Sequence, residues 1–190
     1  MTSILKVDNI QNSSGTQAMN IHSSGFIIPP AGGIIQTQYT QFTGTNTVSI
    51  TANTDTVISD LTVNITPTST SSKIMISAGV FHEQAYDAWD SLFFFYRDTT
   101  KLAAPQVGSS RKSGIAIANN PYYSTDNAST PNWVRYDYFD APSSTSQLTY
   151  KVGFIASSGQ TFYLNRTVTD SDASASERGI SYITVTEIAG

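Results

Sequence analysis

The sequence predicts an all-β protein, an antiparallel jelly-roll sandwich of about ten strands preceded by a short extended N-terminal segment. Three observations lead there. Roughly a quarter of the 190 residues are Ser or Thr and only 13% are charged, a bias that disfavours helices because Ser, Thr and Asn side chains compete for backbone hydrogen bonds. Short segments of alternating apolar and polar residues recur, separated by turn residues. No stretch of helical length places its apolar residues at the helical period of about 3.6.

Taken in order, residues 1–33 form the N-terminal extended segment and residues 34–190 the sandwich. The boundary falls at "IIPPAGG", where paired prolines cannot donate to a ladder and paired glycines allow turn geometries closed to other residues. Before it, "ILKVDNI" alternates weakly and "AMNIHSSGFIIPP" reads as strand, turn and strand. So few apolar side chains cannot bury a core, so this segment must lean on another chain or on the body. After it come "IIQTQYTQF" and "TVSIT". "DLTVNIT" puts Leu61, Val63 and Ile65 on one face, and "KIMISAGVF" does the same with Ile74, Ile76, Ala78 and Val80. "SLFFFYRD" is almost wholly aromatic, which predicts a strand buried on both faces or one whose second face meets a neighbouring subunit. "SGIAIA" and "WVRYDYFD" follow. Then come "QLTYKVGFIA" with Leu148, Tyr150, Val152 and Phe154, "TFYLN" with Phe162 and Leu164, and the closing "ISYITVTEI". Stacking these strands as two antiparallel sheets is the economical solution.

Composition narrows the function classes. Without cysteine there is no disulfide framework, no thiol chemistry and no Cys-containing zinc site. A net charge of -4 argues against nucleic acid as partner, since neutralising phosphates needs clustered Lys and Arg. No apolar run approaches the roughly 18 residues of a membrane span, so no membrane insertion is expected, and the N-terminus has no basic region leading into an apolar core.

Catalytic signals are thin. His22 and His82 are the only histidines and lie on opposite sides of the Pro-Gly junction, so neither has an evident partner and His82 reads as a surface or strand-edge residue. In "HEQAYDAWD", His82, Glu83, Asp87 and Asp90 match no metal-ligand spacing, whereas Tyr86 and Trp89 offer rigid area for contact with a glycan or protein. Tyr122 and Tyr123, in "NNPYYSTDNASTPNW", form a second candidate receptor contact. "GSSRKSG" reads as a solvated basic turn. "TDSDASASERG" brings Asp170, Asp172 and Glu177 into one loop, too few oxygens for a calcium site that takes six to eight. The expectation is a protein with no catalytic residues, no metal and no cofactor. Asn-x-Ser/Thr occurs at Asn12, Asn64, Asn127 and Asn165, as a Ser/Thr-rich chain produces by chance.

The phrases "SSKIMISAGV", "FFFYRDTTKL", "YFDAPSSTSQLTYKV" and "TFYLNRTVTDSDASASERGISYITVTEIAG", with "KVDNIQN" and "IPPAGG" before them, resemble structural and fibre-like proteins of marine tailed bacteriophages. That resemblance covers nearly the whole chain. It implies a C1q- or TNF-like jelly roll that forms a homotrimer on the exterior of a virion assembled in the bacterial cytoplasm. A head fibre, tail fibre, knob or capsid decoration unit would fit. The N-terminal segment would dock on capsid, neck or tail proteins through Ile4, Leu5, Val7 and Ile10. The trimer interface would use the apolar faces of two strands, through Phe93, Phe95, Tyr136 and Tyr138. The alternative role is a receptor-binding tip that recognises a host-surface glycan or protein through its apical loops.

Overall fold

The structure, a computed structural model, describes residues 7–21, 25, 27–84, 90–105, 108, 110–118 and 129–190. Among these there are fourteen strands and no helix. Three short ones, β1 (Asn9–Gln11), β2 (Gln17–Ile21) and β3 (Ile27–Ile28), make a small antiparallel sheet of their own. The N-terminal segment is therefore a paired ribbon and not simply extended chain. Its first turn is held by Asn12, whose side-chain oxygen accepts from the backbone amides of Ser14 and Thr16 at 3.0 and 2.9 Å. That is an Asx-type turn, the structure for which Asn is suited. The junction after β3 is pinned to the far end of the chain: Gly32 N–H donates to the Ala189 carbonyl (2.7 Å) and Ala189 N–H to that of Gly33 (2.8 Å).

The remaining strands are β4 (Ile34–Phe42), β5 (Asn46–Ile50), β6 (Thr56–Ile65), β7 (Lys73–Gln84), β8 (Leu92–Arg97), β9 (Thr100–Leu102), β10 (Ala116–Ile117), β11 (Asn132–Asp140), β12 (Leu148–Ile155), β13 (Gln160–Leu164) and β14 (Ser181–Ile188). They form a β-sandwich of two antiparallel sheets. In the six-stranded sheet β11 runs along one side of β7, while β14 and β13 share its other side and carry β4 and β5 beyond them. The five-stranded sheet is β6-β12-β8 with β9 and β10 on the far side of β8. From β5 to β8 and again from β10 to β13 the chain crosses from one sheet to the other at each step, as in a jelly roll.

The alternating segments explain the core. Leu61, Val63, Ile65, Ile74, Ile76, Ala78, Val80, Tyr150, Val152, Phe154, Phe162 and Leu164 all point between the sheets and are buried. One strand was only partly visible as alternation. β6 begins at Thr56, and its register with β12 jumps so that Lys151 faces Thr62 while Val152 faces Ile58. This bulge turns both Ile58 and Leu61 inward although they are three residues apart, and a strict period of two hides such a site. "SGIAIA" supplies only the two-residue β10, and β9 has no alternating pattern to announce it.

β8 is buried on both faces, with Phe93, Phe94 and Phe95 all inaccessible. The division of labour corrects the expected interface. Phe93, Phe95 and Tyr136 lie inside the sandwich, the two phenylalanines stacked on Tyr136 at 5.6 and 4.6 Å between centroids, and Tyr138 packs against the same core. They face the opposite sheet, because β8 and β11 both turn these residues inward. The second face of β8 carries Phe94, and it is covered by this chain. Its ring lies over Gly153, where any Cβ would meet it at 2.2 Å, beside Tyr96 and under the Lys101 ammonium, 4.0 Å from the centroid.

Candidate functional site

Most polar chemistry in the described residues holds the sandwich together. Glu83, Asp140 and Glu187 are buried carboxylates, and each collects several donors. Glu187 accepts from the Thr68 amide and hydroxyl, Ser72 Oγ and Gln36 Nε2, at 2.7 to 2.8 Å. Burial pushes its carboxyl up, and these donors outweigh that effect, so it rests below the usual carboxylate range. Glu83 accepts from Thr130 N, Thr130 Oγ1 and Val168 N, tying the segments on either side of β7 to that strand. Asp140 takes two bonds from one Arg97 nitrogen and a third from the Tyr150 hydroxyl, all at 2.8 Å. Burial, and after it the bond to Asp140, raises the Tyr150 phenol far above its ordinary value.

His82 is a core residue, contrary to the surface position expected from its polarity. It stacks on Phe162 and meets Phe93 edge-on, each at 5.2 Å, and neither ring nitrogen has a hydrogen-bond partner among the described residues. Burial lowers its pKa from 6.5 to about 3. Glu83, next along β7, points to the opposite face. The two therefore cannot converge on a metal, and among the described residues no three His, Asp or Glu side chains gather. Asp87 lies outside the described residues, as do His22 and the proposed receptor contacts Tyr86, Trp89, Tyr122 and Tyr123.

Two of the three acids of the 169–179 loop have partners in the fold. Asp170 accepts from Arg178 Nε (3.0 Å) and Nη2 (2.9 Å), with Arg166 3.7 Å away, and Glu177 accepts from Ser129 Oγ at 2.8 Å. The Arg178 guanidinium holds the Asp170 carboxyl below its usual range. Sequence reasoning missed the residue that anchors this loop. Asn165, with φ of 59°, donates to the Phe42 and Gly44 carbonyls at 2.7 and 2.9 Å and accepts from Ser181 Oγ at 2.6 Å, while its amide donates to Phe81. It begins an Asn-Arg-Thr triplet, but it is fully buried and joins four separate segments. Asn tolerates the left-handed region, the one clue the sequence offered.

Among the described residues, three open surfaces bear on contact with a partner. On the outer face of the six-stranded sheet, register places Tyr39, Thr184, Ser77 and Asp137 in one row, with Gln41, Tyr182, Gly79 and Arg135 beside it and Thr37, Thr186, Met75 and Phe139 on the other flank. Gly79 forms a floor under the Tyr182 and Trp133 rings. Tyr39, Phe139 and Trp133 are 71%, 64% and 49% exposed, and one charge pair, Arg135 and Asp137, is all these three rows carry. The small N-terminal sheet is the second surface: Ile10 pairs with Met19, Ile21 with Ile27, and all four share one face. Of the expected anchoring residues, Val7 and Ile10 are described, while Ile4 and Leu5 lie outside the described residues. The third is a cleft of about 800 Å³ beside the 51–55 turn, lined in part by Asp55, Lys101, Arg111 and Lys112.

No protein-family model matches this chain, and no curated protein matches it. Function must therefore be argued from these surfaces. No helix among the described residues is long and apolar enough to cross a membrane.

Proposed function

We propose that this chain is a non-enzymatic structural protein of a tailed bacteriophage particle, a homotrimeric fibre, knob or decoration unit held to the particle by its N-terminal segment. The phage setting rests on the resemblance of its sequence phrases. The observation that carries the assembly role is the outer face of the six-stranded sheet. Tyr39 on β4 at one edge and Trp133 and Phe139 on β11 at the other stand exposed there on a nearly uncharged field, and large exposed aromatic side chains are favoured at contact surfaces. This face replaces the inward-pointing Phe93, Phe95, Tyr136 and Tyr138 as the trimer surface. Rows of Thr, Ser, Gln and Tyr lie between these aromatic edges, and aromatic side chains are enriched in contacts between copies of one chain.

The anchoring role draws on the N-terminal sheet, whose apolar face of Ile10, Met19, Ile21 and Ile27 has too little area to hold itself together in water. A non-enzymatic role is favoured by the engagement of Glu83, Asp140, Asp170 and Glu187 in structural hydrogen bonds.

Light scattering on the intact chain tests the assembly role. A trimer is expected, converted to a folded monomer when Trp133 and Phe139 are both replaced by Asp; a monomeric intact chain would remove it. For the anchor, removal of residues 1–28 should leave the trimer and abolish incorporation into particles. Normal incorporation would sink that part of the reading.

A further inference from the structure

The basic pair of "GSSRKSG" reads as a solvated turn when it is seen alone in the sequence. In the fold it is not alone. The segment after β9 brings Arg111 and Lys112 to the same cleft as Lys101, so among the described residues three of the chain's ten Lys and Arg line one concavity whose one carboxylate, Asp55, is paired with Lys101. This happens in a protein of net charge -4, where a positive concavity stands out against the overall field.

We infer that this cleft binds an acidic polysaccharide, gripping its carboxylate or sulfate groups. Three features select that ligand. First, Lys101 is ordered before any ligand arrives: its ammonium is 2.7 Å from Asp55 Oδ1 and rests 4.0 Å from the Phe94 ring centroid. An ammonium has three donors, and ordering a long side chain in advance removes part of the entropic cost of binding. Second, the remaining lining is rich in groups that match sugar hydroxyls. Asn53 and Thr54 stand at the turn, with Ser110 and Ser113 beside them. Third, the volume of about 800 Å³ lies in the range of about 300–1,000 Å³ that holds extended small ligands, far more than one inorganic anion fills. Nucleic acid fits poorly, because tight binding to it rests on about six to ten phosphate contacts and the cleft offers three cations.

The test is titration of the full chain with polygalacturonate, dextran sulfate and uncharged dextran, at low and high salt. Binding is expected to at least one acidic polymer, weakening as salt rises, with none to dextran. Which acidic polymer binds separates carboxylate from sulfate recognition. Replacing Arg111 and Lys112 together by Gln should reduce affinity about tenfold or more, and Lys112→Gln alone should reduce it in the same direction with the unfolding temperature and oligomeric state unchanged. Lys101→Met should also weaken binding. Absence of binding to both acidic polymers, equal binding to dextran, or affinity indifferent to the Arg111→Gln/Lys112→Gln pair would each overturn the inference. Light scattering on the same samples reads the trimer separately, so this idea and the assembly role can fail independently.

Discussion

In the N-terminal sheet Ile10, Ile21 and Ile27 remain 43%, 37% and 56% exposed, whereas Phe93, Phe154 and Phe162 of the sandwich are wholly buried and pack ring against ring. Both regions are antiparallel β-structure with alternating sequence. They differ in whether a second layer covers the apolar face. The sandwich has two sheets, so each supplies the other's cover. The N-terminal ribbon has one, and pairing alone leaves a hairpin marginal in water. Strand pairing is therefore common to both regions, and burial separates the part that carries stability from the part whose apolar face stays open.

Substitutions can sharpen or break that contrast. The largest effect is expected at the aromatic centre. Phe93→Ala should cost about 3–5 kcal/mol in a denaturant titration, because it opens a cavity among rings that cannot collapse to fill it. Acid comes next. His82 is neutral in the fold with its pKa lowered to about 3, so the unfolded chain binds a proton below about pH 6.5 that the folded chain refuses. Stability contributed by neutral His82 is intact above pH 6.5 and is lost as pH falls from there toward 3, by about 3 kcal/mol at pH 4. His82→Leu should flatten that slope, and equal slopes in the two proteins would refute the account. Asn165→Ala should cost about 2–3 kcal/mol by removing partners from two buried carbonyls and Ser181. Gly153→Ala should cost about 1–3 kcal/mol, since its methyl occupies the space of the Phe94 ring. The smallest change belongs to the ribbon. Ile27→Ser should alter global unfolding by no more than about 0.5 kcal/mol, and a larger loss would mean that the ribbon is part of the cooperative unit.

The strands with unbroken alternation, β7, β12 and β13, were legible from sequence because one face of each is buried by one opposing sheet. β6 was seen only from Asp60 onward, since the bulge at Ser59 and Asp60 breaks the phase. Phe93 and Phe95 were recognised as interface-grade aromatics and placed on the wrong side. An aromatic run states that both faces are buried, but not which face looks inward. His82 was misread because a lone histidine is polar in composition, and only its neighbours Phe93 and Phe162 reveal that it sits in an apolar stack. The cleft was invisible for a related reason: Lys101 and the Arg111 and Lys112 pair are separated by a loop, and their signals add only in space.

The sequence by itself determined that this chain is all β, which residues alternate into a core, and that the first part could not bury a core of its own. These follow from local chemistry, because β-branched and aromatic residues, turn formers and periodicity act over a few neighbours. Only the tertiary structure decided which sheet face stays open, which acids are consumed by internal hydrogen bonds, and where the cations meet. Those outcomes depend on long-range register between strands such as β7 and β11 or β14 and β4. Shifting either by one residue would turn every side chain to the other face with no change in the local pattern.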